Sequence, residues 1–156
     1  MDIVAGPNVD VVGDVHELST LFPSRSFDGV FALSVFEHVL MPWKAAVEIN
    51  RVLSTGGLVF IGTHQTFPLH EVPWDYLRFS DTSWQGIFNS ATGFEILATA
   101  LGETASVVPT VQHPNNRQVM LSDAFMNVGV LAKRTAESTV DWQVSLSEVV
   151  NTQYPH

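Results

Sequence analysis

The sequence predicts an α/β domain, and three observations carry that expectation. Phe27 to Val35 is almost continuously apolar, the pattern of a strand covered on both faces. Pro42 to Leu53 carries a stripe at three- and four-residue spacing, through Trp43, Ala46, Val47, Asn50 and Leu53, apolar but for Asn50. Gly56-Gly57 then leads into a further apolar run, Leu58 to Gly62. Strand, helix, glycine turn and strand in that order make a βαβ crossover.

The remaining elements follow from local signals. Val9 to Val12 is a short β-branched run between Gly6-Pro7-Asn8 and Gly13-Asp14, and reads as a buried strand. His16 to Leu21 forms one loose turn ahead of Pro23. Pro42 suits the first helical position, where a missing N–H costs nothing, and Lys44 and Glu48 form a solvent-side pair one turn apart. Gly56 is free to adopt the left-handed cap that ends the helix. Asp81 caps a short helix whose Trp84, Ile87 and Phe88 face inward, while Phe94 to Leu101 and Phe125 to Ala132 read as strands. Val108 to Arg117 shows no clear structure, and Gln118 to Ala124 holds a turn of helix. Val140, Trp142, Val144 and Leu146 alternate with polar residues as an edge strand would, although Ser145 and Glu148 are also spaced as a capping box. The expected organisation is one domain over residues 1–134 and a tail over 135–156.

Composition narrows the function. Sixteen acidic residues against seven basic ones give a net charge of −9, and only Lys133 and Arg134 are adjacent basic residues, so no basic patch invites nucleic acid. The longest apolar run, Gly29 to Phe36, is far short of a membrane span, and no signal peptide is apparent. A cytoplasmic location is expected. The absence of cysteine removes disulfides, thiolate metal sites and cysteine nucleophiles. Residues 63–80 form an aperiodic loop that gathers Thr63, His64, His70, Trp74, Asp75, Tyr76 and Arg78, proton-transfer groups mixed with aromatics. Arg78 is suited to hold a substrate carboxylate or to pair with Asp75, and both readings stay open. Glu37, His38, His64 and His70 contain no ligand pair at helical or hairpin spacing, so no metal is expected.

Five segments in order, Val11-Val12-Gly13-Asp14, Ser26-Phe27-Asp28-Gly29-Val30, Phe36-Glu37-His38-Val39, Glu48 through Gly57, and His70 through Phe79, resemble the class I S-adenosylmethionine-dependent methyltransferases of the small-molecule type. The resemblance spans residues 2 to 134. It implies a Rossmann-like sheet, mostly parallel with an antiparallel C-terminal strand. It also implies S-adenosylmethionine as cofactor and a sugar- or lipid-like small-molecule acceptor. It places Asp2 at the ribose hydroxyls, Asp14 at the adenine amino group, and Glu37 and His38 beside the methionine moiety or the substrate. His64 or His70 would be the base, and Asp75, Tyr76 and Arg78 would face the substrate.

The family's first strand and its glycine-rich loop have no counterpart here, so the sheet is expected to be N-terminally truncated. The Phe27 strand then has a bare edge. The expected repair is a shrunken sheet in which the Val9 strand pairs with it, in a homodimer covering the rest. The alternatives are that the alternating tail, a second copy or another partner fills the gap, or that the chain is a fragment of a larger enzyme that completes it. The alternative to an active transferase is a methyltransferase-like binding or structural protein that has lost the cofactor site.

Overall fold

The computed structural model describes residues 1–111 and 113–150. Four strands, β1 (Phe27–Leu33), β2 (Leu53–His64), β3 (Phe94–Ala105) and β4 (Ala124–Arg134), form one sheet in the order β1-β2-β4-β3. The helices are α1 (Leu18–Leu21), α2 (Pro42–Val52), α3 (Trp84–Ile87) and α4 (Leu146–Val149). β1, α2 and β2 form the expected crossover, with β1 parallel to β2. The expectation of a mostly parallel sheet is corrected. β4 enters between β2 and β3 and runs against both, so two of the three pairings are antiparallel. β1, β2 and β3 still point the same way; the reversed strand between β2 and β3 removes the parallel contacts.

The core lies on one face of this sheet. Val59 and Ile61 of β2 and Val128, Val130 and Ala132 of β4 are buried against Ala45, Ala46, Ile49 and Val52 of α2 and Trp84 and Ile87 of α3. Phe36, Phe79, Trp84 and Phe88 close the core as a cluster of tilted, edge-on and stacked rings. The opposite face is open: Phe31 (69% exposed) stacks on Phe60 with ring centroids 5.1 Å apart, beside Leu33 and Leu58. Strand β1 is therefore covered on one face only, because every described helix that packs on the sheet lies on the other side. Its outer edge has no strand partner among the described residues.

Several local expectations are also corrected. Val9 to Val12 is not a strand; among the described residues an isolated parallel bridge between Asp2 and Val12 is all the pairing it makes, and it does not repair the β1 edge. Lys44 and Glu48 are buried rather than solvent-side. The Lys44 ammonium donates to the Val144 carbonyl, while Glu48 accepts from the Ser19 backbone and pairs with Arg51. Trp43, expected in the core, is half exposed and stacks on Trp142. The helix ends at Leu53 in extended backbone, so Gly56, although at φ +87, lies inside β2 instead of capping the helix. Ser83 precedes α3, and among the described residues Asp81 bonds only the neighbouring Thr82 N–H. Residues 140–144 form no strand: they lie across α2 and end in α4, whose capping box joins Ser145 and Glu148. Tail residues 151–156 and Gln112 lie outside the described residues.

Asn50 ties this tail to the helix. Its side chain is 1% exposed; the amide donates to the Thr92 and Ala136 carbonyls, and its oxygen accepts from the Ser138 N–H. Gly93, at φ +82, allows the approach, since a Cβ there would stand 2.3 Å from the Ala136 carbonyl oxygen. Asn50→Ala should cost about 3 kcal/mol in a urea unfolding experiment, the scale for stranding buried partners of this kind. A loss below about 1 kcal/mol would show that Asn50 does not anchor the tail.

Candidate functional site

Two features meet at the carboxyl ends of β1 and β2, where open α/β sheets hold ligands. The first is a cleft of about 300 Å³ lined by Met1 to Val4, Gly13 to Val15, Ser34, Val35, His38, Val39, Glu71 and Trp74. Asp2 and Asp14 both face it. Ser34 turns the chain off β1 at φ 50, in the left-handed region that a non-glycine residue seldom enters. Asp14 caps a single turn of 3-10 helix, Val15–Glu17, and its carboxylate accepts from His16 twice, from the backbone N–H at 2.8 Å and the ring Nδ1 at 2.6 Å. His16 is 1% exposed, and its Nε2 accepts from the Met41 N–H, so the ring proton is on Nδ1 and points at Asp14. Burial pushes the Asp14 carboxyl up, but the His16 hydrogen bonds outweigh it and hold the group below the usual carboxylate range.

The second feature is a cluster built on Glu37. A single 3-10 turn, Phe36–His38, follows β1 and buries the Glu37 carboxylate completely. A buried carboxylate must find partners. Thr63, near the end of β2, donates its hydroxyl to Glu37 Oε2 at 2.5 Å. The Glu37 carbonyl accepts from the N–H groups of Tyr76 and Leu77, which folds the following loop back over the strand ends. Three imidazoles surround the other carboxylate oxygen. Nε2 of His64 lies 3.1 Å from Glu37 Oε1, and Nε2 of His70 and of His38 each lie 3.9 Å from it. Despite this crowding, Glu37 Oε1 and His64 Nδ1 are buried without a hydrogen-bond partner among the described residues.

Each ring has its own support. His38 Nδ1 lies 2.9 Å from the Trp74 carbonyl. His70 Nδ1 lies 3.2 Å from the Pro68 carbonyl and 3.3 Å from Asp75 Oδ2. His64 stacks on Phe67 with centroids 4.2 Å apart. Asp75 is fixed by a two-pronged bond from Arg78, at 2.5 and 2.7 Å. Arg78 also donates to the carbonyls of Phe67, Pro68 and Leu77.

The structure thus brings Glu37, His38, His64, His70 and Asp75 into one cluster and sets Asp2 and Asp14 in the adjoining cleft. Tyr76 enters through its backbone and Arg78 through its pairing with Asp75. Thr63 and His64 belong to β2, not to the loop, which gives the cluster a rigid base. Thr63, His16 and Phe67 support the site and went unassigned in the sequence. Thr63 could have been found from strand alternation, which puts it on the same face as Val59 and Ile61; His16 and Phe67 carry no comparable signal.

Residues 4–61 match a family described as a methyltransferase domain. No curated protein matches the chain. Among solved structures, a SAM-dependent methyltransferase from Archaeoglobus fulgidus is 15% identical with a TM-score of 0.56, covering 79% of this chain and 66% of its own. One from Methanosarcina mazei is 14% identical with a TM-score of 0.55, covering 81% and 67%. The [4+2]-cyclase SpnF is 15% identical with a TM-score of 0.53, covering 80% and 56%. The chain has a class I methyltransferase-like fold, and it spans under two thirds of the length of the first and last of these proteins. No helix among the described residues is long and apolar enough to cross a membrane.

The Asp75–Arg78 pair sets a pH dependence. Arg78's hydrogen bonds outweigh burial and, with the His70 N–H, hold the Asp75 carboxyl far below the usual carboxylate range. The unfolded chain therefore binds the proton more readily. The pair's stabilisation is complete above the ordinary carboxyl value of 3.8 and is lost as pH falls through the folded value. The thermal midpoint should fall more steeply in the native protein than in Arg78→Met as pH drops from about 5 to about 2. Parallel curves would remove this pair from the acid response.

Proposed function

We propose that this chain serves S-adenosylmethionine-dependent methyl transfer to a small, sugar- or lipid-like acceptor. The observation that carries the proposal is the adjacency of cleft and cluster. His38 lines the cleft and also stands 3.9 Å from Glu37 Oε1, so a donor in one and an acceptor at the other would be neighbours. The lining suits the adenosyl half of the cofactor. Asp14 and Asp2 offer carboxylates, and Ile3, Val4, Val15 and Val39 offer apolar walls. When bound, the cofactor supplies a methyl group on a sulfonium sulfur.

The chain's own residues would then do three things. Asp14, held by His16, and Asp2 receive the adenosine end. Glu37 and the imidazoles around it face the acceptor. His70 takes the proton from an acceptor hydroxyl at Nε2, because its Nδ1 faces the Pro68 carbonyl and Asp75 and so carries the ring proton. Asp75 and Arg78 act by orienting His70, and Tyr76 by holding the loop on Glu37. The net charge of −9 supports a small acceptor over a nucleic acid. The exposed β1 edge, with Phe31 and Leu33 beside it, supports a homodimer as part of the same proposal.

Calorimetric titration with S-adenosylhomocysteine tests the cofactor half. Saturable micromolar binding is expected, weakened about tenfold or more in Asp14→Asn, the scale of a hydrogen bond to a charged group. No saturation at millimolar ligand would overturn the transferase proposal and favour the binding-protein alternative.

A further inference from the structure

The cluster holds more imidazoles than a general base requires. A base needs one ring and one group to orient it, and His70 with Asp75 already supplies both. Two further rings approach the same carboxylate oxygen. We propose that Glu37 Oε1, His64 Nε2 and His70 Nε2 form a site for a first-row divalent cation of the zinc type, with His38 Nε2 beside it.

The tautomers carry the argument. His70 Nδ1 and His38 Nδ1 each face a carbonyl oxygen, which only an N–H can satisfy. In the neutral ring His70 Nε2 therefore presents a lone pair, and it stands 3.9 Å from a buried carboxylate oxygen that accepts no hydrogen bond among the described residues. Electron pairs gathered around a desolvated anion repel one another unless a cation sits among them. The three proposed ligand atoms all lie within 4.8 Å of one another. Tetrahedral zinc bonds of ~2.0–2.1 Å put ligand atoms about 3.4 Å apart, between the 3.1 and 3.9 Å separations seen here.

The surroundings are those of a metal site. Thr63 binds Glu37 Oε2 and leaves Oε1 turned toward the rings. Asp75 and the Pro68 carbonyl fix His70, as outer-shell partners fix ligating histidines. Two histidines and one carboxylate are a common set for zinc and other first-row cations, and three protein ligands leave a coordination position open. The spacing of residues 37, 64 and 70 gives no sequence signal for this, because the fold alone supplies the proximity. Cation binding does not depend on the transferase reading. A loaded site would engage the His70 lone pair, so proton transfer to His70 describes the empty form.

The test is a calorimetric titration of zinc chloride into chelator-treated full-length protein, with no cofactor or acceptor present. One ion per chain, bound in the micromolar range or tighter, is expected. His64→Gln and His70→Asn should each weaken binding at least tenfold, while His113→Ala, on an exposed segment outside the cluster, should leave it unchanged. Cobalt(II) gives a second readout: its visible absorption should show nitrogen and oxygen ligands in native protein and change in His70→Asn, whose fold circular dichroism would verify. Absence of saturable zinc binding below millimolar concentration would overturn the proposal. So would binding retained by both cluster variants, or binding lost in His113→Ala. Failure here leaves cofactor binding untouched, since that titration uses no metal.

Discussion

The fully buried carboxylate of Glu37 is the constraint on which this end of the molecule depends. A desolvated anion is costly, and the surrounding chain is arranged to answer that cost. Thr63 answers it from the central strand. The backbone oxygen of the same residue draws in Tyr76 and Leu77, fixing a loop that would otherwise have little reason to lie across the strand ends. With the loop in place, His70 and Asp75 are carried over the carboxylate, and Phe67 comes to stack on His64. One buried charge thus organises residues from the turn after β1, from β2 and from the loop into a single cluster.

The sheet makes that cluster rigid. β2 is paired on both sides, in parallel with β1 and antiparallel with β4, and His64 itself is in register with Asn127. Because a parallel crossover sends both strands out at the same end, the residues after β1 and the last residues of β2 must be neighbours. The adjoining cleft rests on less structure. Its N-terminal wall is held by the Asp2–Val12 bridge and the hydrogen bonds linking Asp2 with Val11 and Gly13. His16 compensates in part, since its buried ring clamps Asp14 from one side and the Met41 N–H from the other.

The crossover was legible in the sequence because its signals are periodic: unbroken apolar runs for the strands and a three-to-four repeat for α2. The candidate residues were legible too, as polar groups placed just after apolar strands. What the sequence left hidden was non-local. Nothing in the residues of β4 states that it inserts between β2 and β3, because pairing direction is decided by topology and not by composition. Lys44 and Glu48 look solvent-facing on a helical wheel, but the tail covers Lys44 at Val144 and α1 covers Glu48 at Ser19. Val9 to Val12 has strand chemistry, but a β-branched run becomes a strand only where a neighbour offers a ladder, and none does here. The convergence of three imidazoles on one oxygen is of the same kind, a property of where two strands end.

The fold cannot by itself choose the chemistry. The [4+2]-cyclase SpnF shares it with methyltransferases at a similar TM-score, so the choice rests with the site. Here the site is asymmetric in a way that bears on function. The cluster is built on a strand paired from both sides and on an ion pair that fixes its outermost histidine, so its geometry is set before any ligand arrives. The cleft beside it is walled by loops and one bridge, with Asp14 held from behind by the buried His16 ring. A preorganised end suits the step in which charge changes, where reorganisation would raise the barrier. An adaptable end suits a ligand that must enter and leave. That division supports the proposal that the chemistry falls at Glu37 and its imidazoles and that the cleft serves capture.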